Sequence, residues 1–373
     1  MQPASSASFA PESAPDWAAI LGRAPSQSVP VAISGVAGRS LLVTGAGGFI
    51  GSEMVRVFAA SGAAEIVLLE IAEQPLFEIF SEMTTLGCAG RCIPVLGSIC
   101  DRGLLKALLA EHRFDLILHA AALKHVPLME RNPFAAISTN AIGTWTLAEL
   151  AAESGVPRVV LISTDKAVAP HSMMGASKRI AELATLAHGF TAVRLVNVIG
   201  SPGSVGPIFA DQIACGGPVT VTDPAARRFF FTLDQVVQLL AEAIEVDEPA
   251  GIFVPDSGEA ILIEDLARRM IATHVRATNQ AQDIRIVFTE PRPGDKLDES
   301  LLAPCEQLGD RATPGLHRVL GRAVPPLVAH ISALESAVAA RDLPLLLREV
   351  ESLVPGYQPS ALLRAGDLSH VSG

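Results

Sequence analysis

Short apolar runs alternate with segments of helical spacing between residues 41 and 163. The runs are Leu41–Thr44, Ile66–Leu69, Cys92–Leu96, Asp115–His119 and Val159–Ile162. Each has the length of a strand and is almost entirely apolar, which is typical of a parallel strand buried on both faces. Residues 104–112 repeat apolar side chains every three or four positions, as a helix does. The alternation predicts an α/β fold with a doubly wound parallel sheet.

A glycine-rich turn joins the first predicted strand to the first predicted helix. Gly45, Gly48 and Gly51 follow the spacing G-x-x-G-x-x-G. The first glycine permits a tight turn, the second lets the backbone approach a pyrophosphate, and the third lets the helix pack on the sheet. The amides of Phe49 and Ile50 at the helix start then point at the anion. The motif predicts a Rossmann-like domain that binds a dinucleotide.

An acidic residue, Glu70, ends the second predicted strand, 19 positions after Gly51. A carboxylate there can accept hydrogen bonds from both ribose hydroxyls and repels a 2′-phosphate, so the sequence favours NAD over NADP. The alternative is an exposed glutamate at a strand end. Two further segments complete the predicted cofactor site, namely Ser98 and Ile99 under the adenine, and Ala120, Ala121 and Ala122 beside the nicotinamide ribose.

An acid and an amine stand side by side where the fifth apolar run ends. Thr164, Asp165 and Lys166 follow Val159–Ile162, and a helix carrying Lys178 begins shortly afterwards. Open α/β sheets bind ligands at this carboxyl edge. The sequence therefore predicts that the pair meets a substrate, and the alternative is a surface ion pair. Asn140, within an apolar helix, is predicted to be either a satisfied core amide or the holder of a water chain to Lys178.

Residues on loops outside the sheet form the predicted substrate site. Arg228 and Arg292 are candidates for a diphosphate clamp because arginine offers bidentate donors to phosphate oxygens. The alternative for each arginine is ordinary surface charge. The other predicted substrate contacts are Lys124 and His125 at the sheet edge, Asn197 at a strand end, Ser204 and Val205 in a loop, and Val219 and Thr220 in a short exposed strand.

The character of the chain changes near residues 40, 200 and 357. Residues 1–39 are rich in Ala, Ser and Pro and predict a partly flexible arm, in which Trp17–Gly22 forms a short docked helical turn. Residues 40–200 form the predicted cofactor-binding domain, with later segments returning to it. Residues 201–357 form a smaller, mainly substrate-binding α/β region that ends in two amphipathic helices, and 358–373 a flexible tail.

Composition narrows the class of protein. The 373 residues are 49% apolar and carry a net charge of −11, which argues against nucleic-acid binding. The mean hydropathy is +0.39, but no uncharged apolar stretch of about 18 residues exists, so no membrane span is expected. No secretory signal is visible, which favours the cytoplasm. The five cysteines fit neither a zinc site nor a disulfide framework, and mostly buried, reduced thiols and no metal are expected.

These motifs together resemble one branch of the extended short-chain dehydrogenase/reductase superfamily, the capsular-polysaccharide group of nucleotide-sugar 4,6-dehydratases. The resemblance is carried by the segments Thr44–Gly51, Ala120–Pro127, Ser163–Lys166, Met174–Arg179, Arg194–Gly200, Gly216–Val221 and Arg292–Lys296. It implies a hydro-lyase with tightly bound NAD, a nucleotide-diphosphate sugar as substrate, chiefly UDP-N-acetylglucosamine, and a homo-oligomer. Met174 stands where relatives have tyrosine, which resembles the subgroup that retains configuration at C5.

The resemblance also implies roles for the residues at the sheet edge. Asp165 would be the acid, Lys166 the base, and Lys178 would bind the nicotinamide ribose, while Thr164 can hydrogen-bond the C4 hydroxyl. The acceptor of the C4 hydroxyl proton stays open between Asp165, Lys166 and a water. The family usually has Ser, Asp, Asn and Arg where this chain has Phe49, Ser98, Ala169 and Pro202. Two other functions remain possible, a nucleotide-sugar epimerase and a non-catalytic NAD-binding regulatory protein.

Overall fold

The structure is a computed structural model that describes residues 15–23, 32–247, 250–278, 283–321 and 323–366. Its strands, in chain order, are β1 Ser40–Thr44, β2 Glu65–Glu70, β3 Cys92–Leu96, β4 Leu116–His119, β5 Val159–Thr164, β6 Thr191–Leu195, β7 Asn197–Val198, β8 Val219–Val221, β9 Arg227–Arg228, β10 Phe230–Phe231, β11 Gly251–Pro255, β12 Ile261–Leu262, β13 Ile286–Phe288, β14 Gln307–Arg311 and β15 Leu316–Leu320.

Helices connect most of these strands. They are α1 Trp17–Ile20, α2 Phe49–Ala60, α3 Glu73–Thr85, α4 Arg102–Glu111, α5 Val126–Arg131, α6 Pro133–Ala136, α7 Thr144–Glu153, α8 Met173–Ala187, α9 Val205–Ala214, α10 Leu233–Glu245, α11 Ile263–Thr278, α12 Val328–Ala340, α13 Leu343–Leu353 and α14 Ala361–Ala365. A π-helical segment, Ile137–Gly143, joins α6 to α7.

Nine strands of the described chain form the central sheet, in the order β14-β15-β11-β6-β5-β4-β1-β2-β3. From β3 to β11 all neighbours are parallel, and β15 and β14 add an antiparallel edge. Leu41, Leu42 and Val43 of β1 are fully buried, as expected of a strand covered on both faces. The predicted doubly wound α/β fold is confirmed. The strand order reverses between β1 and β4, where such sheets open a ligand crevice.

Short strand pairs build the smaller region outside this sheet. β8 pairs with β13, β9 with β12, and β7 with β10. Helices α9 and α11 pack on them, and Ile20 and Leu21 at the end of α1 join the same apolar cluster. The predicted helical turn thus docks on α11, while residues 1–14 and 24–31 of the predicted flexible arm lie outside the described residues.

Three expectations about local structure are wrong. The strand at Val219–Val221 is not exposed, because pairing with β13 and packing under α11 bury both valines and leave Thr220 at the surface. The segment 358–366 is not a tail, since it includes α14, whose Leu363 is buried. Cys92 is buried, but Cys100, Cys215 and Cys305 are exposed because they lie in turns outside the sheet. All five thiols are free.

The two predicted amphipathic helices near the C-terminus are α12 and α13. They pack on each other; α12 also packs on the π-helical segment and α13 on α8, in the apolar cluster that holds Met173 and Met174. Across the described part of the chain, no helix has both the length and the apolar character that crossing a membrane requires.

Candidate active site

The glycine turn after β1 is packed so closely that side chains would not fit. Gly45 has φ +66°, and a Cβ added there would lie 2.7 Å from the backbone nitrogen of Ala121. A Cβ on Gly51 would lie 2.0 Å from the carbonyl oxygen of Gly45. Gly48 is the N-cap of α2, so the amides of Phe49 and Ile50 belong to the first turn and lack intrahelical acceptors. This cradle fits the pyrophosphate of a dinucleotide.

Glu70 lies directly against this turn. Its carboxylate accepts hydrogen bonds from the backbone nitrogens of Gly47 at 3.1 Å, Ile71 at 2.9 Å and Ala72 at 3.1 Å. Oε1 accepts from both Ile71 and Ala72, whereas Oε2 accepts only from Gly47 and has a second lone pair that can accept from a ribose hydroxyl. The position of Glu70 at the end of β2 is consistent with the contact to the cofactor ribose that the sequence predicts for it.

Ser98 and Ile99 follow β3 at the same edge. Ser98 accepts a hydrogen bond from the nitrogen of Cys100 at 3.1 Å. The side chain of Ile99 is buried in the apolar cluster under the sheet and would touch a Cβ on Gly143. It therefore faces the core instead of an adenine, and the segment can offer a base its backbone and Ser98.

Asn140 holds the loop that follows β4. Its Oδ1 accepts from the nitrogen of Leu123 at 2.8 Å, and its Nδ2 donates to the carbonyl of Leu123 and to Oγ of Ser177, both at 2.9 Å. Asn140 itself lies in the π-helical segment, a conformation that often marks functional sites. These hydrogen bonds identify Asn140 as a satisfied core amide, which fixes the 120–123 loop, with its three alanines, to α8.

Asp165 and Lys166 form a partly buried ion pair at the end of β5. Asp165 is fully buried, and the Nζ of Lys166 lies 3.1 Å from its Oδ1. Lys166 also donates to Oδ1 of Asn197 at 3.0 Å and to Oε2 of Glu299 at 3.0 Å. Thr164 donates to the same Asp165 oxygen at 2.8 Å. Since Asp165 is buried and the ammonium has three acceptors, the pair is not an ordinary surface ion pair.

The charges of this cluster set its protonation. Burial raises the pKa of Asp165 to about 7, and the negative Glu299 adds to the rise against the opposing Lys166. Burial alone would lower the pKa of Lys166, but the two carboxylates raise it above its usual value. Glu299 is held ionised, its pKa lowered by Lys166 and Arg228 against the effect of burial. Near neutral pH the cluster therefore contains a partly protonated acid beside an ammonium.

Lys178 lies on α8 behind the end of β5. It is almost fully buried, and its Nζ donates to the carbonyl of Ile162 at 2.6 Å. Burial lowers its pKa to about 8. Met174, one turn earlier on the same helix, is buried in the cluster that α8 shares with α12 and α13.

Tyr357 is the single tyrosine of the chain and packs in the same apolar cluster as Met174. It is distant in sequence, but α12 and α13 bring the C-terminal segment back to α8. Its hydroxyl is buried, and burial with the nearby Glu130 raises its pKa well above the usual value. A phenol that resists ionisation is a poor proton acceptor, so Tyr357 does not replace the tyrosine missing at Met174.

The sequence did not single out His119, which lies under the crevice. Its ring nitrogens lie 2.7 Å from Oγ1 of Thr44 and 2.8 Å from Oγ1 of Thr144. Burial and the charge of Lys178 lower its pKa to about 3, so the ring is neutral. It links the ends of β1 and β4 to α7.

Two predicted substrate residues belong to the cluster around Lys166. Asn197 donates to the carbonyl of Phe229 at 3.2 Å while its oxygen accepts from Lys166. The Nε of Arg228 lies 3.1 Å from Oε1 of Glu299. The small cleft beside them is lined by Val126, Lys166, Ser172, Arg228, Gly294, Asp295, Lys296 and Glu299.

Lys124 and His125 meet the loop that precedes α9. Lys124 donates to the carbonyl of Pro202 at 2.9 Å, and His125 packs where a Cβ on Gly203 would lie. Ser204 and Val205 begin α9 at the end of that loop. These four predicted substrate residues are thus brought together.

The remaining predicted substrate residues are not brought into the cleft. The side chain of Arg292 is 57% exposed and pairs with Asp295 at 3.1 Å. Val219 is fully buried because it packs in the core of the smaller region. Thr220 is bound on its nitrogen and hydroxyl by Gln212, at 3.0 and 2.8 Å. Arg292 and Arg228 thus pair with different carboxylates, Asp295 and Glu299, and the diphosphate clamp stays a prediction.

A scan against family models matches residues 41–319 to a family described as polysaccharide biosynthesis protein. The chain belongs to this family. It is 42% identical over 315 residues to the probable polysaccharide biosynthesis protein EpsC of Bacillus subtilis, covering 82% of this chain and 52% of EpsC. A UDP-glucose 4-epimerase of Rickettsia canadensis is 37% identical over 220 residues, covering 54% of this chain and 61% of that protein. The chain spans about half the length of EpsC.

Solved structures of similar fold place the chain in the extended short-chain dehydrogenase/reductase superfamily, as the motifs predicted. Pen from Bacillus thuringiensis has a TM-score of 0.70 and 28% identity, covering 79% of this chain and 90% of Pen. DesIV of Streptomyces venezuelae, a dTDP-glucose 4,6-dehydratase solved with NAD and TYD bound, has a TM-score of 0.59 and 26% identity, covering 70% of this chain and 88% of DesIV.

Proposed function

We propose that the chain is an NAD-dependent nucleotide-sugar 4,6-dehydratase, with UDP-N-acetylglucosamine as its first candidate substrate. The observation that carries this proposal is the contact between the buried Asp165 and the partly exposed Lys166 at the carboxyl end of β5. An acid and an amine in contact at that edge suit the removal of water from a sugar. The similarity to DesIV supports the reaction class, and the similarity to EpsC supports a role in polysaccharide synthesis.

The cofactor is proposed to bind along the glycine turn. The amides of Phe49 and Ile50 would hold the pyrophosphate, Glu70 would accept from the adenosine ribose, and the 120–122 loop would border the nicotinamide ribose with Lys178. When bound, NAD supplies the chemistry of accepting hydride from C4 of the sugar and returning it to C6. The carboxylate of Glu70 favours NAD over NADP, because it repels a 2′-phosphate.

Thr164 and Asp165 are proposed to take the C4 hydroxyl proton. Thr164 donates a hydrogen bond to Asp165 at 2.8 Å and can pass the proton to it, which supports Asp165 as the acceptor in place of the missing tyrosine. The other oxygen of Asp165, Oδ2, is buried and accepts no hydrogen bond from the described residues, while the carboxyl group also neighbours that of Glu299. In this proposal the protonated Asp165 serves the C6 hydroxyl. The pKa of about 7 allows Asp165 to hold that proton.

Lys166 is proposed to remove the C5 proton in its neutral form while Asp165 gives its proton to the departing C6 hydroxyl. The amine becomes an ammonium and the acid a carboxylate, and one water leaves. Lys166 then returns its proton to C5, which restores both side chains. Since Lys166 must start as a free amine, activity should rise with pH until this amine is deprotonated.

The proposal is tested by incubating the protein with UDP-N-acetylglucosamine and following the sugar nucleotide by mass spectrometry. A dehydratase lowers the mass by about 18 units, the mass of water. An epimerase, the second candidate because of the Rickettsia relative, leaves the mass unchanged but converts the sugar to an isomer. An unaltered sugar would indicate an NAD-binding protein without this activity.

A further inference from the structure

Glu299 is a residue that the sequence motifs did not mark, yet it lies in the centre of the proposed site. Its side chain is 3% exposed, and its two oxygens contact Lys166 at 3.0 Å and Arg228 at 3.1 Å. It belongs to a segment, 289–306, that has no helix or strand among the described elements. A buried carboxylate delivered by an irregular segment is costly unless specific contacts hold it.

Contacts on both sides of Glu299 hold this segment. On its N-terminal side, Lys296 donates to the carbonyl of Val168 at 2.6 Å, and Arg228 donates to the carbonyl of Lys296 at 2.6 Å. On its C-terminal side, Arg194 donates to the carbonyl of Leu301 at 2.8 Å. Glu299 is thus fixed against the sheet edge from both directions.

The groups facing Lys166 come from four parts of the fold. Asp165 is its neighbour after β5, Asn197 begins β7, Arg228 ends β9, and Lys296 and Glu299 come from the 289–306 segment. Arg228 and Lys296 would disfavour a third positive charge on Lys166, and Asp165 alone could balance only one of the three cations. Glu299 supplies the additional negative charge that lets an ammonium exist there.

We propose that Glu299 is a positioning residue of the reacting set, which holds Lys166 beside Asp165 and stabilises the ammonium that Lys166 becomes on taking the C5 proton. The inference rests on the proposed dehydration. It assigns the 289–306 segment a function, because this segment delivers the carboxylate that makes the amine a stronger base.

The first test measures the proton affinity of Lys166 without turnover. Lys166 is labelled with acetic anhydride between pH 6 and 11, and its peptide is quantified by mass spectrometry, with the exposed Lys106 as internal reference. In Glu299→Gln, labelling of Lys166 at pH 8 should rise by about tenfold, the effect of losing one pKa unit. Asp298→Asn, the exposed neighbour, should match the wild type. An unchanged labelling profile in Glu299→Gln would overturn the proposal.

A second variant covers failure of Glu299→Gln to fold. Glu299→Asp keeps the charge and should keep the labelling of Lys166 within about threefold of the wild type, since half a pKa unit corresponds to that factor. A tenfold rise in the labelling of Lys166 in this variant would show that the negative charge at position 299 does not control the amine, and would contradict the proposal.

The second test follows turnover. Glu299→Gln should lower the limiting kcat, reached at high pH where Lys166 is a free amine, by up to about tenfold with little change in KM, because it weakens the base by about one pKa unit without removing a substrate contact. The rising limb of its pH profile should move to lower pH. A rise in KM alone would contradict the proposal. If the wild type releases no water, the proposed dehydration fails, whereas the labelling result still decides whether Glu299 controls Lys166.

Discussion

Ala169 has a left-handed backbone, with φ +38°, in the short loop between Lys166 and α8. Residues with a Cβ rarely adopt this conformation, and asparagine and glycine tolerate it best. The family resemblance noted an asparagine at this position, and the backbone gives a physical reason for it. The strain lies four residues after Asp165, where the loop turns back toward the helix.

Ala169→Gly should raise the free energy of unfolding by about 0.5–1 kcal/mol, because glycine adopts this backbone conformation without strain. The gain is smaller than the strain itself, since glycine also increases the conformational entropy of the unfolded chain. Ala272→Gly is the matched control, because Ala272 lies at an exposed position in the middle of α11; it should lower the free energy of unfolding by about 1 kcal/mol. Urea unfolding measures both. A loss of stability in Ala169→Gly equal to that of the control would show that the loop is not strained.

Helix α8 is joined to the sheet by buried charges as well as by apolar packing. Glu182 accepts from Ser163 at 2.7 Å and from Nε of Arg194, in β6, at 2.8 Å. Arg194 also reaches Glu306 at 2.6 Å. Arg194 and Glu182 are completely buried. The network connects the helix that carries Lys178 to the segment that carries Glu299, so the positions of both side chains depend on it.

Glu182→Gln should destabilise the protein by about 3–5 kcal/mol at pH 7, since it leaves a buried arginine incompletely paired. Arg194 lowers the pKa of Glu182 to about 2, against the effect of burial, from an ordinary value of 4.5. The contribution of the ionised carboxylate to the free energy of unfolding is therefore complete above pH 4.5 and is lost as the pH falls toward 2.

Thermal unfolding of the wild type and Glu182→Gln from pH 7 to pH 3 measures this difference, with Glu111→Gln at the exposed end of α4 as control. The difference in Tm between the wild type and Glu182→Gln should become smaller below pH 4.5. A difference in Tm that stays constant over this range would contradict the assignment of an ionised Glu182.

The strands that the sequence predicted well are those buried on both faces. β1, β2 and β5 are continuous apolar runs because helices cover them on each side, and this pattern is local. β8 has three residues, and its burial depends on β13, which lies more than 60 positions later. Glu299 could not be predicted for the same reason, because no periodicity marks the 289–306 segment and its partners are distant in sequence.

At the scale of the whole molecule, the order of the strands determines where chemistry can occur. The ends of β1, β4 and β5 bring the glycine turn, the 120–123 loop and Asp165 to one edge of the sheet. The smaller region and the 289–306 segment then supply Asn197, Arg228 and Glu299 from the other side. The predicted homo-oligomer and the absence of nucleic-acid binding stay predictions.

The most direct measurement is turnover of UDP-N-acetylglucosamine in deuterated water by wild type, Asp165→Asn and Lys166→Ala, with bound NAD quantified in each. The account predicts that the wild type loses water and gains deuterium at C5. Asp165→Asn should keep NAD but lose the elimination by roughly 100-fold or more, and Lys166→Ala should block entry of deuterium at C5. Full water loss by Asp165→Asn, or normal deuterium at C5 in Lys166→Ala, would contradict the account.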